Sequence, residues 1–260
     1  MMTAIHVFIF ISATCYTVDV DRFSTLKHPH PMKEIALGEG GVGPGSAVPE
    51  LDHAPKVEIE IPGAPEHLTW NTQVRYIISV SDLKDGESRY GEIEARACLM
   101  EVEYFPAGDE KKVNELIKAS QQKKEHKGLS AMKRSTCFGC HSDKTRLVGP
   151  SFQEIAGRYQ NNPVTVKELG GRIIGGSSGI WGSQVMPSHP DLTLEEAAQI
   201  ADYILQQGGN KNRWIYPGLE GTFWVIEKPE NHDQGIYVLT ASYTSTSNIR
   251  GQQCVVLKIR

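Results

Sequence analysis

Five consecutive residues, Cys137-Phe138-Gly139-Cys140-His141, hold two thiols two positions apart and an imidazole directly after, in a 260-residue chain with only five cysteines. Three chemistries use such a pair. A structural zinc takes four Cys or His ligands, commonly as two close pairs, and Cys15, Cys98 and Cys254 are each isolated. A thioredoxin-like dithiol follows a strand in a βαβ unit, whereas the residues before Cys137 read as helix. Covalent haem attachment needs this pentapeptide as it stands. The two thiols add to the vinyl groups of a protohaem, and the next residue, His141, is held under the iron as its fifth ligand. A low-spin carrier needs a sixth ligand, often a Met thioether. Met186 stands between Val185 and Pro187 in a Gly- and Pro-rich stretch, off any periodic apolar face, in a segment too broken for helix or strand. Most methionines fill cores. His189, three residues on, is the rival ligand. Met186 is favoured, because a bis-His site usually lacks a Met-Pro loop and a thioether suits a higher potential.

Helical patterns surround these residues. The stretch from Leu129 through Cys140 reads as a first helix that ends in the haem motif. Residues 150–159 carry a capping box, Ser151 with Glu154, and an apolar stripe of Phe152, Ile155, Ala156 and Tyr159. Asn162 caps a third helix with Pro163 at its first position, and Val166, Leu169, Gly170 and Ile173 form its face. Thr193 and Glu196 box the fourth, which Ala197, Ile200, Ala201, Ile204 and Leu205 line before Gly208-Gly209 ends it.

With those pieces in place, residues 126–212 resemble a class I cytochrome c domain. The likeness is carried by Cys137-Phe-Gly-Cys140-His141, Val148-Gly-Pro150-Ser-Phe152, Trp181-Gly, Val185-Met186-Pro187 and the last helix through Tyr203-Ile-Leu205. The resemblance implies one covalent haem c, with iron bound by His141 and Met186. It implies that the Pro150 carbonyl accepts the far ring proton of His141, a usual way to fix a ligating imidazole. It also places Trp181 against the haem edge, where a plain core aromatic would serve as well, and lets Tyr203 cross the first helix near Gly128.

The rest of the chain reads as β. Within 55–108, three segments alternate, broken by the turn cluster after Asp82; Cys98, Met100, Val102 and Tyr104 share one face. Within 213–260, three more strand-like runs begin at Gly221, Gly235 and Gly251. The last two resemble the closing strands of PKD-like and fibronectin-like sandwiches. The expected fold is therefore multi-domain α and β: an all-α class I cytochrome c fold inserted in, or flanked by, an Ig/PKD-like β-sandwich. Two separate small β units are the alternative. Residues 109–125 read as a solvated helical connector, whose lysines could otherwise dock an acidic partner. Residues 21–54 read as linker. Residues 1–20 form a candidate signal or membrane-anchor segment, with an apolar run from Ala4 to Ala13; the alternative is a buried strand. Cys98 and Cys254 are expected as two buried free thiols, with a disulfide between them as the other option.

Composition is that of an ordinary soluble protein, 39% hydrophobic and 22% charged, and a net charge of −4 argues against a nucleic-acid binder. A six-coordinate iron offers no open position to a substrate, so the expected activity is outer-sphere electron transfer rather than catalysis. The resemblance extends to the cytochrome segment of bacterial quinoprotein sugar dehydrogenases. It implies a periplasmic or extracytoplasmic protein that takes electrons from a dehydrogenase, on the same polypeptide or nearby, and passes them to a cytochrome or oxidase. Two other classes stay open. One is a haem-based gas or peroxide sensor or enzyme with a vacant sixth site. The other is a carbohydrate- or protein-binding β module, with Trp70, Tyr90 and Trp224 as contact candidates.

Overall fold

The period-two run Gln73–Asp82 becomes a strand because one face meets a core and the other meets water, whereas Gly235–Thr244 is buried on both faces. The computed structural model describes residues 16–17, 53–63, 67–107 and 109–259. Of the first 52 residues only Tyr16–Thr17 is described. These two form strand β1, which pairs in parallel with the last strand. The remainder of the candidate signal segment and the expected linker up to residue 52 lie outside the described residues.

Eight further strands make two sheets. Before the helices come β2 (Lys56–Glu60), β3 (Gln73–Asp82), β4 (Gly86–Glu87) and β5 (Cys98–Pro106). After them come β6 (Arg213–Pro217), β7 (Glu220–Trp224), β8 (Gly235–Thr244) and β9 (Arg250–Ile259). One sheet runs β1-β9-β8-β5-β6, and in the other β3 pairs with β2, β4 and β7. Each sheet therefore combines strands from both sides of the helical segment. The sheets share one core, to which β5 contributes Met100, Val102 and Tyr104 and the other sheet contributes Tyr76, Ile78 and Phe223. Strand β6, which the sequence pattern does not single out, is short and mixed in polarity, and its pairing with β5 defines it.

Six helices leave the first sheet after β5 and return at β6: α1 (Glu110–Gln122), α2 (Lys127–Arg134), α3 (Cys137–Cys140), α4 (Phe152–Arg158), α5 (Pro163–Gly175) and α6 (Leu194–Gln206). The excursion closes at its neck, where the Tyr104 N–H donates to the Asn212 carbonyl at 2.8 Å. Three expectations need correcting. The connector helix α1 is not solvated all round: Val113 is buried, and Leu116 and Ile117 pack with it on Ile236 and Val238 of β8. The expected first helix is two, because α2 stops at Arg134 and Thr136 precedes the separate turn α3. Cys98 is a buried free thiol, but Cys254 is disulfide-bonded rather than free.

Helices α2, α4, α5 and α6 close on a second core of Leu129, Met132, Phe152, Ile173, Ile200 and Ile204, which Leu99 of β5 and Ile215 of β6 enter from the sheet. Buried charges accompany this junction. Arg213 sits 2.9 Å from Glu101 and 3.6 Å from Glu103. Burial pushes the Glu101 carboxyl up, but Arg213, Lys123 and Arg250 outweigh it and hold that carboxyl below its ordinary value. Lys133 and Glu125 form a second buried pair at 2.6 Å.

Helix α2 crosses α6 at Gly128, where an added Cβ would lie 2.0 Å from the Gln199 carbonyl oxygen and 2.9 Å from the Ile200 nitrogen. The closest approach is thus one turn before Tyr203, which instead meets the His126 ring at 5.3 Å. Helix propensity alone would make Gly128→Ala stabilising by about 1 kcal/mol. The collision is with backbone, which cannot rotate away, and overpacking of this kind costs about 1–3 kcal/mol or more. Gly128→Ala is therefore expected to lower the urea midpoint, with the denaturant slope unchanged.

Candidate cofactor site

His141 is held before anything binds to it. Its backbone N–H donates to the Cys137 carbonyl at 3.0 Å, and the Gly149 N–H donates to the Cys140 carbonyl at 2.9 Å. Its imidazole is buried, and Nδ1 lies 2.6 Å from the Pro150 carbonyl oxygen. A carbonyl can only accept, so Nδ1 carries a proton, and in the neutral ring the lone pair is then on Nε2. The Phe152 ring stacks on the imidazole at 5.7 Å and 22°. The capping box of Ser151 and Glu154 fixes where α4 begins, and so where Phe152 stands.

Gly149 completes this arrangement. A Cβ there would come within 2.4 Å of the His141 Cε1 and 2.8 Å of Nδ1, so only glycine lets the backbone pass across the ring. The sequence quotes Gly149 inside Val-Gly-Pro but gives no sign that the imidazole occupies the space of its missing side chain.

Met186 is anchored from the other end of the site. The loop around it is not wholly irregular: Met186 forms a β-bridge with Ser177, its N–H donating at 2.8 Å and its carbonyl accepting at 3.0 Å. Gly176, at φ 78°, makes that bridge reachable, since a Cβ there would meet the Met186 carbonyl oxygen at 2.9 Å. Met186 is partly buried against the helical core. The His189 backbone N–H is shared between the Ile173 and Ile174 carbonyls at the end of α5.

One cleft brings all these residues together. It encloses about 1220 Å³ counting its open mouth, and Cys137, Cys140, His141, Pro150, Trp181 and Met186 all line it, as does His189. Ile155, Ile173, Ile200 and Ile204 supply apolar wall. At the mouth, Trp181 meets the Tyr159 ring edge-on at 6.3 Å and carries the Arg158 guanidinium 4.5 Å from its centroid. Arg158 also donates to the Ile180 carbonyl at 3.0 Å. Sequence reading missed Arg158, whose partners Ile180 and Trp181 lie more than twenty positions away.

The arrangement fits a flat apolar group bound through two thiols and one imidazole. Burial pushes the Cys137 thiol above its ordinary value, against the Ser135 hydroxyl 3.0 Å away, so this sulfur is not the activated thiolate of a dithiol oxidoreductase. Among the described residues, no three His, Cys, Asp or Glu side chains gather where they could hold a metal ion. The lysine-bearing helix α1 does not line the cleft. Of the aromatic contact candidates on the β part, Trp224 and Tyr90 are exposed, while Trp70 packs against the sheet core.

Comparison with known proteins places the likeness on the same residues. The family model for cytochrome c matches 126–208. Cytochrome c-552 of Nitrosomonas europaea is 38% identical over 73 residues, covering 28% of this chain and 71% of that one. Cytochrome c-551 of Ectopseudomonas mendocina is 36% identical, covering 30% of this chain and 94% of that one. The crystal structure of the Nitrosomonas europaea protein, 36% identical, aligns with 30% of this chain and 96% of its own, at a TM-score of 0.29.

Gly149→Ala tests how the imidazole is held. The new methyl group displaces the ring, so the slowly exchanging Nδ1–H signal of His141 in ¹⁵N-edited spectra should disappear, and stability should fall by about 1–3 kcal/mol, as overpacking does.

Proposed function

The chain belongs to the class I cytochrome c family through residues 126–208, and from that premise we propose that Cys137 and Cys140 tether its single covalent haem c while His141 and Met186 bind the iron from its two faces. Haem c supplies a one-electron couple, and electron transfer is the role the family carries. The 2.6 Å contact from His141 Nδ1 to the Pro150 carbonyl carries the ligand assignment. It commits the proton to Nδ1 and leaves Nε2 to ligate, and a ligating imidazole tied to a carbonyl is a more basic donor.

The other residues follow from their placement. Met186 is pinned by Ser177 and partly buried in the core, so its sulfur needs little reorganisation when the charge on the iron changes. His189 lines the same cleft and is the rival sixth ligand. The isoleucine wall keeps water from the site and disfavours the extra positive charge of the oxidised state, raising the potential. Trp181, under Arg158, closes the mouth. With His141 and Met186 both taken up as ligands, the haem would serve one-electron transfer and would leave no position for a substrate at the metal.

The finer reading is that the donor is a dehydrogenase, of the quinoprotein sugar class by sequence likeness, and that a cytochrome or oxidase accepts the electrons. The surrounding two-sheet unit is read as PKD-like. An extracytoplasmic location is supported by the disulfide at Cys254, a bond that persists in oxidising compartments. No helix among the described residues is long and apolar enough to cross a membrane.

Co-expression with a haem-attachment system should yield a chain bearing one porphyrin by mass spectrometry, and the double variant Cys137→Ser/Cys140→Ser should carry none. Met186→Ala should keep the porphyrin, lose the weak far-red absorption of sulfur bound to ferric iron, and bind carbon monoxide at once where the parent resists it. Retention of the far-red band in Met186→Ala would refute the thioether assignment.

A further inference from the structure

The strand that receives the chain back into the sheet also touches the loop that leaves His141. Strand β6 is the outer strand of its sheet, paired with β5 on one side only. Such an edge presents unpaired backbone groups, and proteins commonly cover it. Here the residues after the haem motif supply the cover. The Lys144 ammonium lies 3.5 Å from the centroid of the Trp214 ring and donates to the Lys211 carbonyl. The Gln153 side-chain amide reaches the Asn210 carbonyl at 3.5 Å. Ile215, the neighbour of Trp214, is buried in the helical core beside Phe152.

The same loop is fastened on its other side by α4. The Phe152 N–H donates to the Ser142 carbonyl at 2.9 Å and the Gln153 N–H to the Asp143 carbonyl at 3.0 Å. Phe152 in turn stacks on the His141 ring. The segment from His141 to Lys144 is therefore gripped between the start of α4 and the edge of β6. Trp214 and Ile215 lie outside the residues matched by the cytochrome c model, 126–208, so this second grip is a contribution of the β part of this chain.

We infer that Lys144 and Trp214 are positioning residues: the ammonium–ring contact lets the β unit hold the loop that carries His141, and through it sets the orientation of the axial imidazole. The inference rests on His141 being the proximal ligand, as proposed above. Geometry favours a clamp over a chance surface contact. An ammonium centred over a tryptophan face is the strongest cation–π pairing. Lys144 is half-buried, and its ammonium also donates to a backbone carbonyl just before β6, so releasing it would loosen the loop's hold on that edge.

The full-length haem-loaded protein provides the test, in four variants: Trp214→Ala, Trp214→Phe, Lys144→Met and Lys144→Arg. In Trp214→Ala and Lys144→Met, amide hydrogen exchange at Phe152 and Gln153 should accelerate about tenfold, the loss expected for a desolvated cation–π contact. Amides in α5 should not change. The reduction potential should move with the exchange rate. Trp214→Phe and Lys144→Arg, which keep a ring face and a cation, should restore both readings toward the parent. Lys144→Met removes no core side chain, so it reports even if Trp214→Ala fails to fold. The clamp is refuted if exchange at Phe152 and Gln153 stays at the parental rate in Lys144→Met, or if it rises equally throughout the chain, as a loss of overall stability would make it. Those outcomes leave haem attachment and the far-red band intact, which separates them from failure of the ligand assignment; a parent protein without porphyrin overturns both.

Discussion

A proton on one ring nitrogen organises the site. Pro150 has no N–H to offer and its carbonyl can only accept, so the 2.6 Å contact with His141 fixes which nitrogen is protonated and which keeps a lone pair. Orientation follows from packing. Phe152 lies along one side of the imidazole, and the backbone at Gly149 passes where any side chain would collide with it. A histidine on a flexible loop would sample many rotamers and both tautomers, whereas this one has a single arrangement before the iron is present. That is preorganisation: an imidazole already held in place needs little rearrangement to act as a ligand.

Around this centre the chain solves a topological problem. A helical segment of about a hundred residues has to leave and rejoin a β-sheet without disturbing it, and insertion is tolerated when the two ends lie close together. Strands β5 and β6 are antiparallel neighbours, and the Tyr104–Asn212 hydrogen bond closes the gap between them. Leu99 and Ile215 then project from that strand pair into the helical core, so the two units share side chains rather than merely a tether. The Glu101–Arg213 pair lies beside the same junction. Buried ion pairs seldom add much net stability, yet losing one partner is costly, which makes them good at enforcing one relative placement of the elements that carry them.

Several features were plain in the residues. Cys137, Cys140 and His141 announce themselves because the attachment chemistry tolerates almost no other spacing. The helices α4, α5 and α6 were legible through local signals: Ser151 with Glu154, Asn162, and Thr193 with Glu196 make their capping contacts within one turn, and Pro163 stands at the first position of α5. The strands β2, β3 and β5 were legible from alternation, and β8 and β9 as apolar runs. Where reading failed, the deciding contact was distant. The connector helix α1 read as solvated from its charges, and Val113 is buried there because β8 supplies a surface for it to cover. Strand β6 has no alternation of its own and exists because β5 offers it hydrogen bonds.

The sequence by itself determined the covalent chemistry, the candidate ligands and the helices that surround them, because a motif of fixed spacing and a cap closed within one turn depend only on near neighbours in the chain. Tertiary structure alone decided how those ligands are held. The bridge from Ser177 to Met186, the ring of His141 in the space beside Gly149, the β strands paired across a hundred-residue excursion and the grip of Trp214 on Lys144 all join residues that chain order does not bring together. Each depends on distances of a few ångström between separate elements, and such distances are set by how whole faces pack, a property that no local window of residues contains.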